Sequence, residues 1–109
     1  MTIHAVLTAI ADPTRRAILE SVRGGPRSVG DIAGDFDVSR PAVSQHLRVL
    51  MQAELVRPHK SGRHHYYGLD LRGLAVLRTY AESFWEDVLG AFQAAAVVES
   101  QKNKSRPST

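Results

Sequence analysis

Apolar residues recur every three to four positions through most of this chain, and the breaks in that rhythm divide it into successive helices with one stretch of alternation between them. Ile3 to Ile10 predicts a short apolar helix. Asp12-Pro13 caps a second, because a carboxylate accepts the free N–H groups of a first turn and proline has none to leave unsatisfied. Ile18, Leu19 and Val22 point inward from it before Gly24-Gly25-Pro26 ends it. Ser28 with Asp31 three residues on resembles a capping box, and Val29, Ile32, Ala33 and Phe36 form the buried face of a third helix. After a three-residue bend, Ser39 and Pro41 open a fourth, whose Val43, Leu47 and Leu50 face inward. About half a turn away on that helix lie Arg40, Pro41, Ser44, Gln45 and Arg48, an outward row suited to base edges and phosphates in a major groove.

Glu54 and Leu55 end this helix, and the period then changes. Leu55–Lys60 and Arg63–Leu69 read as two strands around a Ser61-Gly62 turn, a hairpin carrying Arg57, Lys60 and Arg63 beside His59, His64 and His65. A hairpin directly after a recognition helix can lay such cations along a phosphate backbone. Beyond Asp70 a long helix carries Leu74, Leu77, Ala81, Phe84, Val88, Ala91 and Ala95 at three-four spacing, with Trp85, Leu89 and Phe92 widening the stripe. A small domain cannot easily cover so broad a stripe, so packing against a twin helix is expected. Gln101–Thr109 is polar and basic and is expected to be a disordered tail, which leaves one domain over residues 1–100. The expected class is therefore mainly α with a β-hairpin wing, a winged helix-turn-helix with a long C-terminal dimerization helix.

Charge sharpens this picture. The 109-residue chain has a net charge of only +3. Between residues 39 and 67, however, Arg40, Arg48, Arg57, Lys60 and Arg63 face only Glu54, whereas residues 68 to 101 have two Lys/Arg against five acids. Positive charge concentrated on a recognition helix and hairpin is the electrostatic footprint of nucleic-acid binding. The absence of cysteine excludes disulfides, thiolate metal sites and thiol redox sensing together. No leader pattern and no run of about 18 apolar residues is present, so a cytoplasmic location without a membrane partner is expected.

Five histidines raise the question of a metal, yet His64 and His65 are adjacent on a strand and point to opposite faces. His46 shares a face with Val43 and Leu50 as a partly buried structural residue, and only His4 with Glu82, Glu86 and Asp87 remains as a leftover ligand set. No metal site or cofactor is expected. Catalysis is also excluded, since no nucleophile and base occur at motif spacing and no glycine loop cradles a phosphate.

The segments ADPTRRAILE (Ala11–Glu20), SRPAVSQHLRVL (Ser39–Leu50) and GRHHYYGLD (Gly62–Asp70) resemble the ArsR-type winged helix-turn-helix repressors of bacteria, over about residues 3 to 90. The likeness is nearer to the metal-independent autorepressor branch than to the arsenic, cadmium or zinc sensors. It implies a homodimer that binds a short inverted repeat in a promoter, commonly its own, and represses transcription. By position it implies that Arg40, Pro41, Ser44 and Gln45 face bases, that Ser39 and Arg48 flank them, and that Lys60 and Arg63 act from the wing. It also brings the first helix into the dimer interface, which then comprises Val6, Leu7, Leu77, Ala81, Phe84, Trp85 and Val88. Arg15 and Arg16 match arginines that are structural or near DNA in the family and stay outside the primary site. Two alternatives remain open: a winged-helix protein-interaction module that does not touch DNA, and a metal-responsive repressor. The residues do not identify a small-molecule effector.

Overall fold

Every helix in the first half of the chain begins on a side-chain cap. In α1 (Ile3–Ala11) Thr2 Oγ1 accepts from the Ala5 N–H at 3.3 Å, and in α2 (Pro13–Ser21) Asp12 Oδ2 accepts from Arg15 at 2.9 Å. Ser28 Oγ accepts from Asp31 at 3.1 Å to start α3 (Val29–Phe36), and Ser39 Oγ from Ala42 at 3.3 Å to start α4 (Arg40–Gln52). Each cap satisfies one of the free donors a helix start leaves. The computed structural model describes the backbone of residues 2–104 and the side chains of residues 2–96.

The bend between α3 and α4 is Asp37-Val38-Ser39, three residues as expected, with Asp37 in the left-handed region at φ 51°. Val6 and Ala9 of α1, Ile18, Leu19 and Val22 of α2, Ile32 of α3, and Val43, Leu47 and Leu50 of α4 are buried together. Ala53, Leu55 and Val56 close the core.

The wing differs from its predicted form in two ways. Strands β2 (Val56–Ser61) and β3 (His64–Leu69) pair antiparallel with Lys60 opposite His65 and Ser61 opposite His64, so the turn is Gly62-Arg63 rather than Ser61-Gly62. Gly62 has φ 62°, and a two-residue hairpin turn needs that sign at its first position, which glycine supplies without strain. Arg63 therefore stands at the wing tip. A third strand, β1 (Arg27–Ser28), pairs Arg27 with Tyr67 and Ser28 with Tyr66, giving the order β1-β3-β2. Two residues carry no alternation that a sequence reading detects, and only their pairing with β3 makes them a strand.

Helix α5 spans Leu71–Lys104, reaching four residues into the segment expected to be tail; residues 105–109 lie outside the described residues. The chain divides into two compact units, residues 1–78 with the core and wing, and residues 79–109 with the rest of α5.

Within the first unit, the end of α4 is tied to the start of α5. Glu54 turns α4 off in the left-handed region at φ 56°, and Leu55 N–H bonds back to Leu50 O at 2.9 Å. The Glu54 carbonyl then accepts the Gly73 N–H at 2.8 Å, and Leu55 O accepts the Asp70 N–H at 2.9 Å. A Cβ at Gly73 would lie 2.5 Å from both the Ala53 and Glu54 carbonyl oxygens, so only glycine permits this approach. The buried Asp70 carboxylate accepts from the Arg72 backbone N–H at 3.0 Å and from its guanidinium at 2.7 Å, while Arg72 Nε also lies 3.6 Å from the Glu54 carboxylate.

The Arg72 side-chain bonds, then its backbone N–H, hold the Asp70 carboxyl below its usual 3.8 against the opposing effect of burial. The Arg15 backbone N–H chiefly lowers Asp12 in the same direction. A carboxyl lowered in the folded state contributes stability that is complete above about pH 4 and lost as the pH falls through its folded-state value. Replacing Asp70 by Asn should thus lower stability near pH 7 by about 1–3 kcal/mol and flatten the loss on acidification, both read as urea midpoints. Equal acid sensitivity in the variant and the parent would show that other carboxylates govern it.

Candidate nucleic-acid interface

Helix α4 has two opposite rows of side chains. Val43, Leu47 and Leu50 are at most 1% exposed, while Arg40, Pro41, Ser44, Gln45 and Arg48 are all exposed, as the period of the helix requires. Ser39 holds its hydroxyl oxygen on the Ala42 N–H, so it orders the first turn of this helix and keeps only its O–H proton for another partner. His46 is half-buried between the rows and stands near enough to Asp12 to favour that carboxylate's charge. Outward side chains on a short capped helix offer donors in the arrangement that base edges and phosphates accept.

On the wing, cross-strand register sorts the charges. Arg57, His59 and Ser61 share one face of the hairpin with His64 and Tyr66, and Pro58 and Lys60 share the other with His65 and Tyr67. Arg57 and Lys60, grouped together from sequence, therefore point to opposite faces; Lys60 and Arg63 remain together at the exposed tip. His64 and His65 do take opposite faces. His64 stands against the Tyr66 ring at 6.1 Å between centroids, and His59 Nε2 lies by Gly68, where a Cβ would approach it to 3.2 Å. Among the described residues no three His, Asp or Glu side chains gather as a metal site would require.

Three other arginines are engaged within the fold. Arg15 Nε donates to Ala9 O at 2.7 Å and its Nη2 to Thr8 O at 3.1 Å, while Arg16 Nη1 donates to Ile10 O at 3.1 Å. Both thus cover the carbonyl end of α1, where a cation also meets the negative end of the helix dipole. Arg27 pairs with Asp35 at 2.6 Å and donates to Asp31 O at 3.3 Å, joining β1 to α3. Sequence alone does not separate such bracing arginines from outward ones, because their acceptors are main-chain carbonyls and carboxylates brought near by folding.

The residues assigned to a dimer interface divide in the same way. Val6 is 0% exposed within the chain's own core: α1 turns this side chain toward α2 and α4 and leaves Leu7 outward. Leu77 is half-buried against the same core. Ala81, Phe84, Trp85 and Val88 are exposed, with Phe84 at 55% and Trp85 at 65%, and Leu89 and Phe92 extend the surface. Tyr80 meets Phe84 edge to face at 5.0 Å, an aromatic contact that the helical spacing of four permits. Among the described residues no helix is long and apolar enough to cross a membrane.

Comparison with known proteins agrees with this geometry. The family profile described as bacterial regulatory protein, arsR family, matches residues 12–57, the segment from the cap of α2 into β2. The HTH-type transcriptional regulator Rv2034 of Mycobacterium tuberculosis is 48% identical over 93 residues, covering 85% of each chain. The transcriptional repressor SdpR of Bacillus subtilis is 48% identical over 65 residues, or 60% of this chain and 72% of that one. A crystal structure of a possible transcriptional regulator for arsenical resistance superposes with a TM-score of 0.67 at 47% identity, covering 83% of this chain and 94% of the other. With its capped recognition helix, three-stranded wing and long last helix, the chain belongs to the ArsR family of winged helix-turn-helix, DNA-binding transcriptional regulators and is not an enzyme.

Proposed function

We propose that two copies of this chain bind an inverted-repeat operator, each setting α4 in a major groove and its wing tip on the flanking backbone, and that bound protein represses transcription, including that of its own gene. The observation that carries this reading is the exposed Arg40-Pro41-Ser44-Gln45-Arg48 row opposite a fully buried one. Such a row is polar and basic, which suits nucleic acid better than an apolar protein groove. Likeness to a protein named as a repressor supports the sign of the effect. DNA as the target fits a cytoplasmic location.

Arginine pairs with guanine and glutamine with adenine, each good bidentate contact contributing about 1–3 kcal/mol of discrimination. Arg40→Ala and Gln45→Ala should therefore weaken binding to operator far more than to a scrambled duplex. Lys60 and Arg63 at the tip meet phosphate in this arrangement, so the Lys60→Ala/Arg63→Ala pair should weaken both duplexes alike and reduce the salt slope by about 0.9 for each phosphate released. Anisotropy titrations at several salt concentrations check both; a parental salt slope in the wing variant would break the division of roles.

Dimerization follows from the exposed apolar row on α5. Phe84, Trp85, Val88, Leu89 and Phe92 make a surface that a second copy covers at least cost, because an identical helix presents a matching stripe. Changing Phe84 and Trp85 to Gln should yield a folded monomer by sedimentation and circular dichroism, with operator affinity lost, since two recognition helices must stand about 34 Å apart to read an inverted repeat. An unaltered dimer would move the interface elsewhere.

Metal independence is part of the same proposal. The chain has no cysteine, and α5 has no histidine. Operator affinity should be unchanged by chelator and by micromolar zinc, nickel or cadmium; release of DNA at one metal per subunit would overturn this and return attention to His4 and the acids of α5.

A further inference from the structure

We propose that Gly30 on α3 is a positioning residue for DNA reading, its missing side chain providing the seat on which the Arg40 guanidinium rests. The proposal depends on Arg40 contacting DNA, as in the preceding reading.

Gly30 is the second residue of α3, where alanine would form helix better than glycine. Its φ is not in the left-handed region, which among the described glycines only Gly25 and Gly62 occupy, so the backbone does not require glycine there. Its surroundings supply a different reason. A Cβ at Gly30 would lie 3.0 Å from Arg40 Nη2, 3.4 Å from its Cζ and 3.8 Å from its Nε, so the three nearest atoms all belong to one guanidinium. Gly34, one turn along the same helix, has nothing within 4 Å of its Cβ position.

The seated guanidinium keeps its donors free. Of the two carboxylates on α3, Asp35 is paired with Arg27 at 2.6 Å and Asp31 makes no bond to Arg40, which has neither hydrogen bond nor ion pair among the described residues. Arg40 is thus placed by contact rather than by a competing bond. A long side chain loses rotamer freedom when it reaches a base, and an arginine already laid in place loses less. Adding one methyl group at Gly30 displaces the flexible end of Arg40 by a few tenths of an ångström. That shift costs the fold little and changes where the planar donor fork meets its target.

Stability and function should therefore move in opposite directions. The test compares the parent, Gly30→Ala, Arg40→Ala and the double variant on the duplex that the parent enriches most strongly from a randomised pool, with thermal unfolding run in parallel. Gly30→Ala should bind about tenfold more weakly than the parent while its Tm is equal or higher, and it should have no further effect when Arg40 is already Ala. Equal losses in both backgrounds, or no loss with Arg40 present, would overturn the role of Gly30. Parental affinity in Arg40→Ala would instead remove Arg40 from the DNA contacts, and this proposal with it.

Discussion

Burial of Val43, Leu47 and Leu50 governs the rest of the molecule. Fully burying a side chain of this kind contributes about 1.5–3 kcal/mol, and α4 packs against α1, α2, α3 and β2 through this row. Turning the helix by half a turn would expose all three and drive Gln45 and Arg48 into an apolar core, at a cost no outward contact offsets. The rotation of α4 is therefore fixed from inside, and the identity of the outward row follows from it. The Ser39 cap and the left-handed Asp37 then determine where this helix starts relative to α3.

Charged groups secure the corners of the first unit by serving helix ends. Arg15 and Arg16 take the last carbonyls of α1, and Asp70 takes a free N–H of α5 while binding the Arg72 guanidinium. At the second of these corners the backbone comes close enough that residue 73 must be glycine. The ends of α4 are held by other bonds, the Ser39 cap at its start and the Schellman-like exit at Glu54.

The second unit has a different character. Its helix carries Phe84, Trp85, Val88, Leu89 and Phe92 in the open, with the Tyr80–Phe84 edge-to-face pair already ordered within it. Helices in proteins draw most of their stability from a buried face, and this row lies in the open within its own unit. Adjacent apolar residues on α1 serve opposite purposes, Val6 filling the subunit core and Leu7 remaining exposed.

The Asp12, Ser28 and Ser39 caps, the helical periods and the buried and exposed rows of α4 were legible in the residues alone, because each depends on neighbours no more than four positions away. So was the sequence-level case for the fold, since Ser39, Pro41 and the Val43-Leu47-Leu50 stripe act locally. Tertiary structure decided what depends on groups distant along the chain. It made Arg27-Ser28 a strand by pairing it with β3, and moved the wing turn by one residue because Gly62 had to take the positive φ. It committed Arg15, Arg16 and Arg27 to carbonyls and a carboxylate, and brought Gly30 beneath Arg40 and Gly73 against Glu54. Main-chain carbonyls carry no side-chain signature, and the absence of a Cβ has meaning only once its neighbours are in place.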